Sequence, residues 1–411
     1  MECCTVGNIF RRSFQYYARH HGLSLEQHQA ARALMACRTE VLGGYDEECP
    51  EGDYATRRYY SCRHRSCPQC NGASNHDWLE RIKERLLRCA HYHVIFTLPH
   101  EINELWCYNR EWFSDRLFRD AAESLRQLLR DPRHLGAEPG MILAEHTWGR
   151  TLVFHPHVHC LLSAGGLRGE RWVDTRRGYL VPGRALSVLF RGKWLSALNA
   201  ALSLGELRFP RGSDEGQVRA LLKRIAKKRW NVRIEGKYAQ GVGVALYLSR
   251  YLRGGPIGDH RLESFTEGQV RFRYQDHRDG KHKILPLPTE EFLRRVLAHV
   301  PPQGRHRVRY YGLYRPQATA AHALAQRALG QRRPSASALV APSRRAPSCP
   351  RCGNILQRRP WRWSKISLYK DPTACYVQPA VQPITQPGFD KPFQNTGPPA
   401  YIFLPRRVSV N

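Results

Sequence analysis

The stretch Phe154-His155-Pro156-His157-Val158-His159-Cys160-Leu161-Leu162 alternates imidazoles with other side chains and then runs apolar. In a β-strand, residues two apart share a face. His157 and His159 therefore project together, with Val158 directed into a core. Two adjacent neutral imidazoles form a ligand pair for a divalent metal. A single histidine here would read as a hydrogen-bonded core residue; the alternating run favours the metal. His155 has the same parity, but Pro156 separates it from the strand, so it is expected at the entrance, hydrogen-bonding rather than ligating. A second group follows far downstream. Gly241 to Arg253 reads as a helix stopped by Gly254-Gly255-Pro256. Tyr247 and Tyr251, four apart, stack on one of its faces. By themselves they would be ordinary packing residues.

Cysteines make the third group. The chain has 13, clustered; no secretory signal is expected from the Met1 to Arg12 stretch, which favours metal ligands over disulfides. Cys67-Pro68-Gln69-Cys70 is a knuckle: its two-residue gap lets both thiolates reach one ion. With Cys62 and a fourth ligand it makes a closed structural zinc site. Cys49 is the first choice for that ligand, followed by Cys37 and His64. Gly52 stands where a cysteine paired with Cys49 would be expected.

Charge sets the partner. Lys and Arg number 65 against 35 Asp and Glu, a formal net charge of +30. Such a surplus repels itself unless a polyanion compensates, and nucleic acid is the obvious one. Arg57, Arg58, Arg63 and Arg65 interleave with Tyr54, Tyr59 and Tyr60, a mixture suited to DNA. Lys223, Arg224, Lys227, Lys228 and Arg229 form a second basic run, either a solvated helix face or a phosphate contact. A strand-borne metal, paired tyrosines and a basic surface converge on phosphate transesterification. Mg²⁺ or Mn²⁺ would polarise a DNA phosphate, and a tyrosine hydroxyl would attack it. The products would be a 5′-phosphotyrosine link and a free 3′-hydroxyl.

Positioning these groups requires a helix over about Leu25 to Arg38, opened by the capping box at Ser24 and Gln27, and an amphipathic helix over Trp78 to Cys89. Strands are predicted over Tyr92 to Leu98 and Met141 to Trp148, with a helical stretch over Glu101 to Arg130 between them. The histidine strand is expected to end at Gly165-Gly166. Helices follow over Val188 to Leu202, Gln217 to Trp230 and Ala318 to Leu329. Strand–helix–strand–strand order indicates an α+β layer with an antiparallel sheet. No apolar run approaches the ~20 residues of a membrane helix.

The chain resembles the two-tyrosine HUH transposases of the insertion sequence 91 type, the rolling-circle transposases, over roughly residues 25 to 315. The resemblance rests on Cys37-Arg38-Thr39, the Ser61 to Cys70 block, Phe96-Thr97-Leu98-Pro99-His100-Glu101, His146-Thr147-Trp148-Gly149, His155 to Cys160, Tyr247-Leu248-Ser249-Arg250-Tyr251 and Arg309-Tyr310-Tyr311-Gly312-Leu313. It implies that His157 and His159 are catalytic metal ligands and Tyr247 and Tyr251 the nucleophiles. A third polar ligand is expected from His146, Glu145 or Gln240, in that order. It further implies a ferredoxin-like nuclease core, preceded by a zinc-binding, DNA-recognising module.

The expected organisation is a zinc-binding domain over 1–90, a catalytic domain over 91–315, and a basic, partly disordered tail over 316–411. In the tail, Cys349-Pro350-Arg351-Cys352 reads as a lone knuckle, a half-site at most, and Arg358-Arg359 with Trp361 and Trp363 as a possible DNA contact. The expected protein is cytoplasmic, bacterial and nucleoid-associated. It acts on single-stranded ends of a mobile element and its target, with no obligate protein partner. Two other functions share these features: a zinc-dependent DNA-binding regulator without nuclease activity, and a plasmid-type rolling-circle replication initiator.

Overall fold

Helix α1 (Val6–His20) is capped by Thr5, whose hydroxyl accepts the amide of Asn8. Helix α2 (Leu25–Ala36) opens on the Ser24–Gln27 capping box, an N-cap worth about 1 kcal/mol. Strands β1 (Gly44–Glu48) and β2 (Ala55–Tyr59) form a hairpin. Helix α3 (Pro68–Arg85) begins directly after Cys67, well before Trp78. Pro68 is preorganised for the first helical position, and the apolar stripe reveals only the helix's second half. The chain continues through β3 (His91–Thr97), α4 (Asn103–Tyr108), α5 (Arg110–Arg130), β4 (Glu138–Trp148), β5 (Phe154–Arg168) and β6 (Arg171–Asp174). Then come α6 (Gly183–Ser203), α7 (Glu215–Ala226), β7 (Val232–Tyr238), β8 (Leu262–Thr266), β9 (Gln269–Gln275) and β10 (His282–Pro288). The last described elements are α8 (Thr289–Ala298), β11 (Val308–Gly312), α9 (Thr319–Ala328) and β12 (Gln357–Pro360). The computed structural model describes residues 4–176, 180–238, 255–266, 268–331 and 347–360.

The largest sheet runs β11-β4-β5-β3-β7, with β6 added to β5; β10-β9-β8 and β12-β1-β2 are separate three-stranded sheets. Every described ladder is antiparallel. The architecture is thus α+β, as the element order indicated.

Period-two alternation divides the large sheet into two faces. Val94, Phe96, Leu143, Val158, Cys160 and Leu162 pack under α4 to α7, in a core that includes Trp106, Phe113, Phe190, Trp194 and Trp230. Ile142, Ala144 and Leu161 face the other way, against Trp78, Leu79, Ile82 and Leu86 of the α3 region and Ala325 of α9. The chain before residue 90 is joined to the rest by burial. Ile9, Phe10 and Leu34 share a core with Phe272, Phe292, Leu293 and Leu297.

Gly165-Gly166 does not end the histidine strand: β5 continues to Arg168. A Cβ at Gly165 would lie 2.6 Å from the Val173 carbonyl oxygen, and one at Gly166 2.7 Å from that of Glu138. The glycines let β6 and β4 close on both sides of β5, so they mark a close backbone approach rather than a turn.

Candidate metal centres and their setting

The β4–β5 ladder sets His146 opposite His157, with His159 two residues further along β5. All three are on the α3 side of the sheet, in the rows that continue Ala144 and Leu161. Their ring centroids are 4.6 Å apart for His146 and His159, 4.8 Å for His157 and His159, and 5.4 Å for His146 and His157. Each can offer a nitrogen within 4.8 Å of the others. His146 and His159 are buried and His157 is half-buried. Burial, reinforced by the charges of neighbouring groups, pushes His146 and His159 well below the usual imidazole range. Burial holds His157 down to about 4. All three therefore stay neutral near pH 7, the form that ligates a metal.

Local contacts orient the rings. His157 Nδ1 lies 2.7 Å from the His155 carbonyl oxygen. A hydrogen on Nδ1 donated there leaves the Nε2 lone pair for a metal. His155 contributes here through its backbone carbonyl, and it lies within β5 rather than before it. His159 Nδ1 lies 2.8 Å from His93 Nε2. Trp148 stacks on His146 at 4.5 Å, and the Arg307 guanidinium lies 4.7 Å over the Trp148 ring. His93 was missed by sequence reading. The signal was His91-Tyr92-His93 on β3, an alternation like that of β5, but only strand pairing brings His93 to His159.

Among the third-ligand candidates, His146 joins the pair. Glu145 is on the opposite face, where its carboxylate accepts the Ser114 hydroxyl at 2.9 Å. Gln240, Tyr247 and Tyr251 lie outside the described residues. The connection carrying the tyrosines leaves the sheet at Tyr238, paired with His91. It rejoins where Ile257 shares a core with Leu152 and Arg261 donates to the Arg150 carbonyl. That second end adjoins the turn leading into Phe154 to His159.

The structure gathers a different set of cysteines from the expected one. Cys37 joins Cys62, Cys67 and Cys70, with all four sulfurs within 4.8 Å of one another. Cys37–Cys70 and Cys62–Cys70 sulfur separations are 3.5 and 3.6 Å. A tetrahedral ion with bonds near 2.3 Å spaces its sulfurs about 3.8 Å apart, so the cluster fits zinc. Neighbouring thiols hydrogen-bonded to Cys70 pull its pKa down, while the same network raises Cys67 and Cys62. Four such thiols share charge badly without a cation. Cys49 is carried away by the β1–β2 hairpin. Gly44 pairs with Tyr59 at its base and Glu48 with Ala55 near its tip, and five strand residues span roughly 15 Å. His64, the other alternative, accepts the Ser66 amide on Nδ1. Cys49 lies instead with Asp53, Cys349 and Cys352, so the tail knuckle is not alone.

The basic residues divide. Arg65 donates to the carbonyls of Pro301, Pro302 and Arg305, so internal contacts take up donors that were assigned to DNA. Lys228 pairs with Glu101, Arg358 with Glu47 and Arg359 with Glu48. Arg63, Lys223, Arg224, Lys227 and Arg229 are exposed.

Comparison with known proteins decides the family. The profile described as "Transposase zinc-binding domain" matches residues 9–98, and that described as "Putative transposase" matches 140–321. Putative transposase y4qJ of Sinorhizobium fredii is 39% identical over 315 residues, 75% of this chain and 79% of that protein. The chain belongs to the insertion sequence 91 family of transposases. The transposase for insertion sequence element IS801 of Pseudomonas savastanoi pv. phaseolicola is 31% identical over 300 residues, 68% of each chain. No solved structure matches the chain. The matched zinc-binding domain spans the four-cysteine cluster, which supports a structural Zn²⁺ there, and transposases act on DNA. No helix among the described residues is long and apolar enough to cross a membrane.

Proposed function

We propose that this transposase nicks and rejoins single-stranded DNA for rolling-circle transposition, using Tyr247 and Tyr251 as nucleophiles and His146, His157 and His159 as ligands of a divalent cation. The observation that carries the reading is the convergence of three neutral imidazoles, two buried and one half-buried, from two paired strands. Mg²⁺ or Mn²⁺ bound there supplies charge stabilisation to a phosphate in transesterification. A tyrosine hydroxyl oxygen attacks the phosphorus, its proton leaves, and a 5′-phosphotyrosine bond forms. The phosphorus–oxygen bond to the 3′ side breaks and a free 3′-hydroxyl results. The new ester retains the energy for rejoining, and a second tyrosine allows one strand end to be held while another is cut. Support for tyrosine access comes from the chain ends described above, since the connection returns beside the turn that enters the histidine strand. Exposed Lys223, Arg224, Lys227 and Arg229 suit the phosphates of the substrate strand.

The test incubates purified protein with single-stranded DNA from the element's ends, with Mg²⁺ or Mn²⁺, and measures covalent protein–DNA adducts after denaturation. Wild type should form adducts, and the double variant Tyr247→Phe, Tyr251→Phe should form none. Full cleavage by that variant would reject the tyrosine chemistry. Site-specific binding by wild type without nicking at any metal concentration would make the protein a DNA-binding regulator instead.

A further inference from the structure

We propose a second zinc site, built from Cys49, Asp53, Cys349 and Cys352, that clamps the C-terminal strand onto the N-terminal domain. One ligand atom from each of the four residues lies within 4.8 Å of the others. Cys49 and Cys352 sulfurs are 3.3 Å apart.

Two loops of similar construction meet here. Cys49-Pro50 opens one and Cys349-Pro350 the other. The Cys49 amide donates to the Tyr54 carbonyl at 2.8 Å, and the Cys349 amide to that of Asn354 at 2.7 Å. Each loop turns through a glycine of positive φ, Gly52 at 74° and Gly353 at 78°. The Gly52 amide bonds the Cys49 carbonyl, and the Gly353 amide that of Cys349. The Arg351 amide lies 3.4 Å from Cys349 Sγ, as the His64 amide does from Cys62 Sγ in the first cluster. Backbone amides directed at sulfur are the ordinary surroundings of a metal-bound thiolate. Gly52 occupies the place where a second cysteine was expected, and Asp53, one residue later, supplies a carboxylate in its stead.

The surroundings explain why a metal is needed. Among the described residues, Cys49, Cys349 and Leu356, with Tyr54 beside them, form the apolar cluster here, a small one to order two loops by burial alone. Beyond the loops, β12 pairs with β1 in register from Tyr45–Pro360 to Glu48–Gln357. Glu47, 1% exposed, is held between Arg58 at 3.3 Å and Arg358 at 3.0 Å. An ion at the loops would close the chain between residues 49 and 352 and hold this strand in place. Three thiolates and one carboxylate suit tetrahedral Zn²⁺ better than the oxygen-seeking Mg²⁺ or Ca²⁺. With one oxygen ligand in place of sulfur, this site should release its ion before the all-cysteine cluster does.

The test uses the full-length protein and is independent of nicking. Wild type should hold two equivalents of zinc per chain by elemental analysis, and Cys349→Ser with Cys352→Ser should hold one. In that variant, hydrogen exchange at Arg358 and Arg359 should accelerate while α1 and α2 stay protected. Should it prove insoluble, Co²⁺ titration of the metal-free wild type reads the same point through thiolate-to-cobalt absorption, with two saturating equivalents expected. Asp53→Ala, which keeps every thiol, should weaken one of the two equivalents at least tenfold, and Asp53→Cys should strengthen it. One equivalent in wild type, two in the double serine variant, or a Cys49–Cys352 disulfide in protein purified without reductant would each overturn the proposal.

Discussion

His93 shows what a residue can do without touching a ligand. Its ring stacks 5.1 Å from that of His159, and its Nε2 meets His159 Nδ1. Outer partners of this kind fix the tautomer and orientation of a ligating imidazole, and their loss typically costs 10–100-fold in metal affinity. His93→Phe should therefore raise the Mn²⁺ concentration needed for half-maximal adduct formation about 10–100-fold. Excess metal should restore the maximal yield. His159→Ala should not be rescued in this way. An unchanged metal requirement in His93→Phe would remove it from the site. Parity along β4 separates Glu145 from His146 just as simply. Adjacent residues on a strand take opposite faces, and Glu145 goes to the helices.

At the scale of elements, the β4–β5 hairpin presents the histidines, and the chain after β11 holds the back of the same face. Tyr314 is 1% exposed. Its hydroxyl accepts the Leu87 amide at 3.2 Å and lies 2.6 Å from His91 Nε2. One phenol thus ties the end of the α3 region, β3 and the segment after β11. Tyr314→Phe keeps the ring but strands a buried amide and a buried imidazole nitrogen, at a cost of about 1–3 kcal/mol. Urea unfolding should show a lower midpoint with an unchanged slope. A midpoint equal to wild type would mean that the hydroxyl contributes nothing to this junction. Gly165-Gly166 carries a related lesson. Paired glycines end many strands, but here the strand continues because its neighbours approach too closely for any side chain.

For the whole molecule, acid should act through buried neutral histidines. Burial pushes His91, His93, His157 and His299 each down to about 4. An unfolded histidine titrates near 6.5. Between those values the unfolded chain binds protons that the folded chain refuses, so stability rises with pH there. It should be fullest above about 6.5, fall as pH drops toward about 4, and then level off with respect to these groups. His299 lies 3.1 Å from Thr147 Oγ1 through Nδ1 and 3.0 Å from the Leu152 carbonyl through Nε2. His299→Gln removes one such group while leaving both cysteine clusters untouched. Its melting temperature should vary less steeply over this window than that of wild type. Equal slopes would show that His299 does not contribute. At the same scale, the first helices share a buried core with α8 and the β8–β10 sheet.

Several features were legible in the residues alone: the histidine pair on one face, the Cys-Pro-Gln-Cys knuckle, the Ser24 helix start, the antiparallel α+β arrangement and a polyanionic partner. Each follows from local periodicity, ligand spacing or summed charge, which need no knowledge of distant contacts. Tertiary structure alone decided the partners. Cys37 rather than Cys49 lies beside the knuckle, because a hairpin carries Cys49 away from it. Strand register brings His146 rather than Glu145 beside His157 and His159, and sets His93 against His159. Arg65 was turned to internal carbonyls by the chain packed against it. Cys349 and Cys352 gained partners in Cys49 and Asp53, some 300 positions earlier in the chain. Spacing along a sequence can show that a residue is fit to be a ligand. Which residues share an ion depends on pairings between distant segments, fixed by burial and backbone hydrogen bonds once the whole chain has folded.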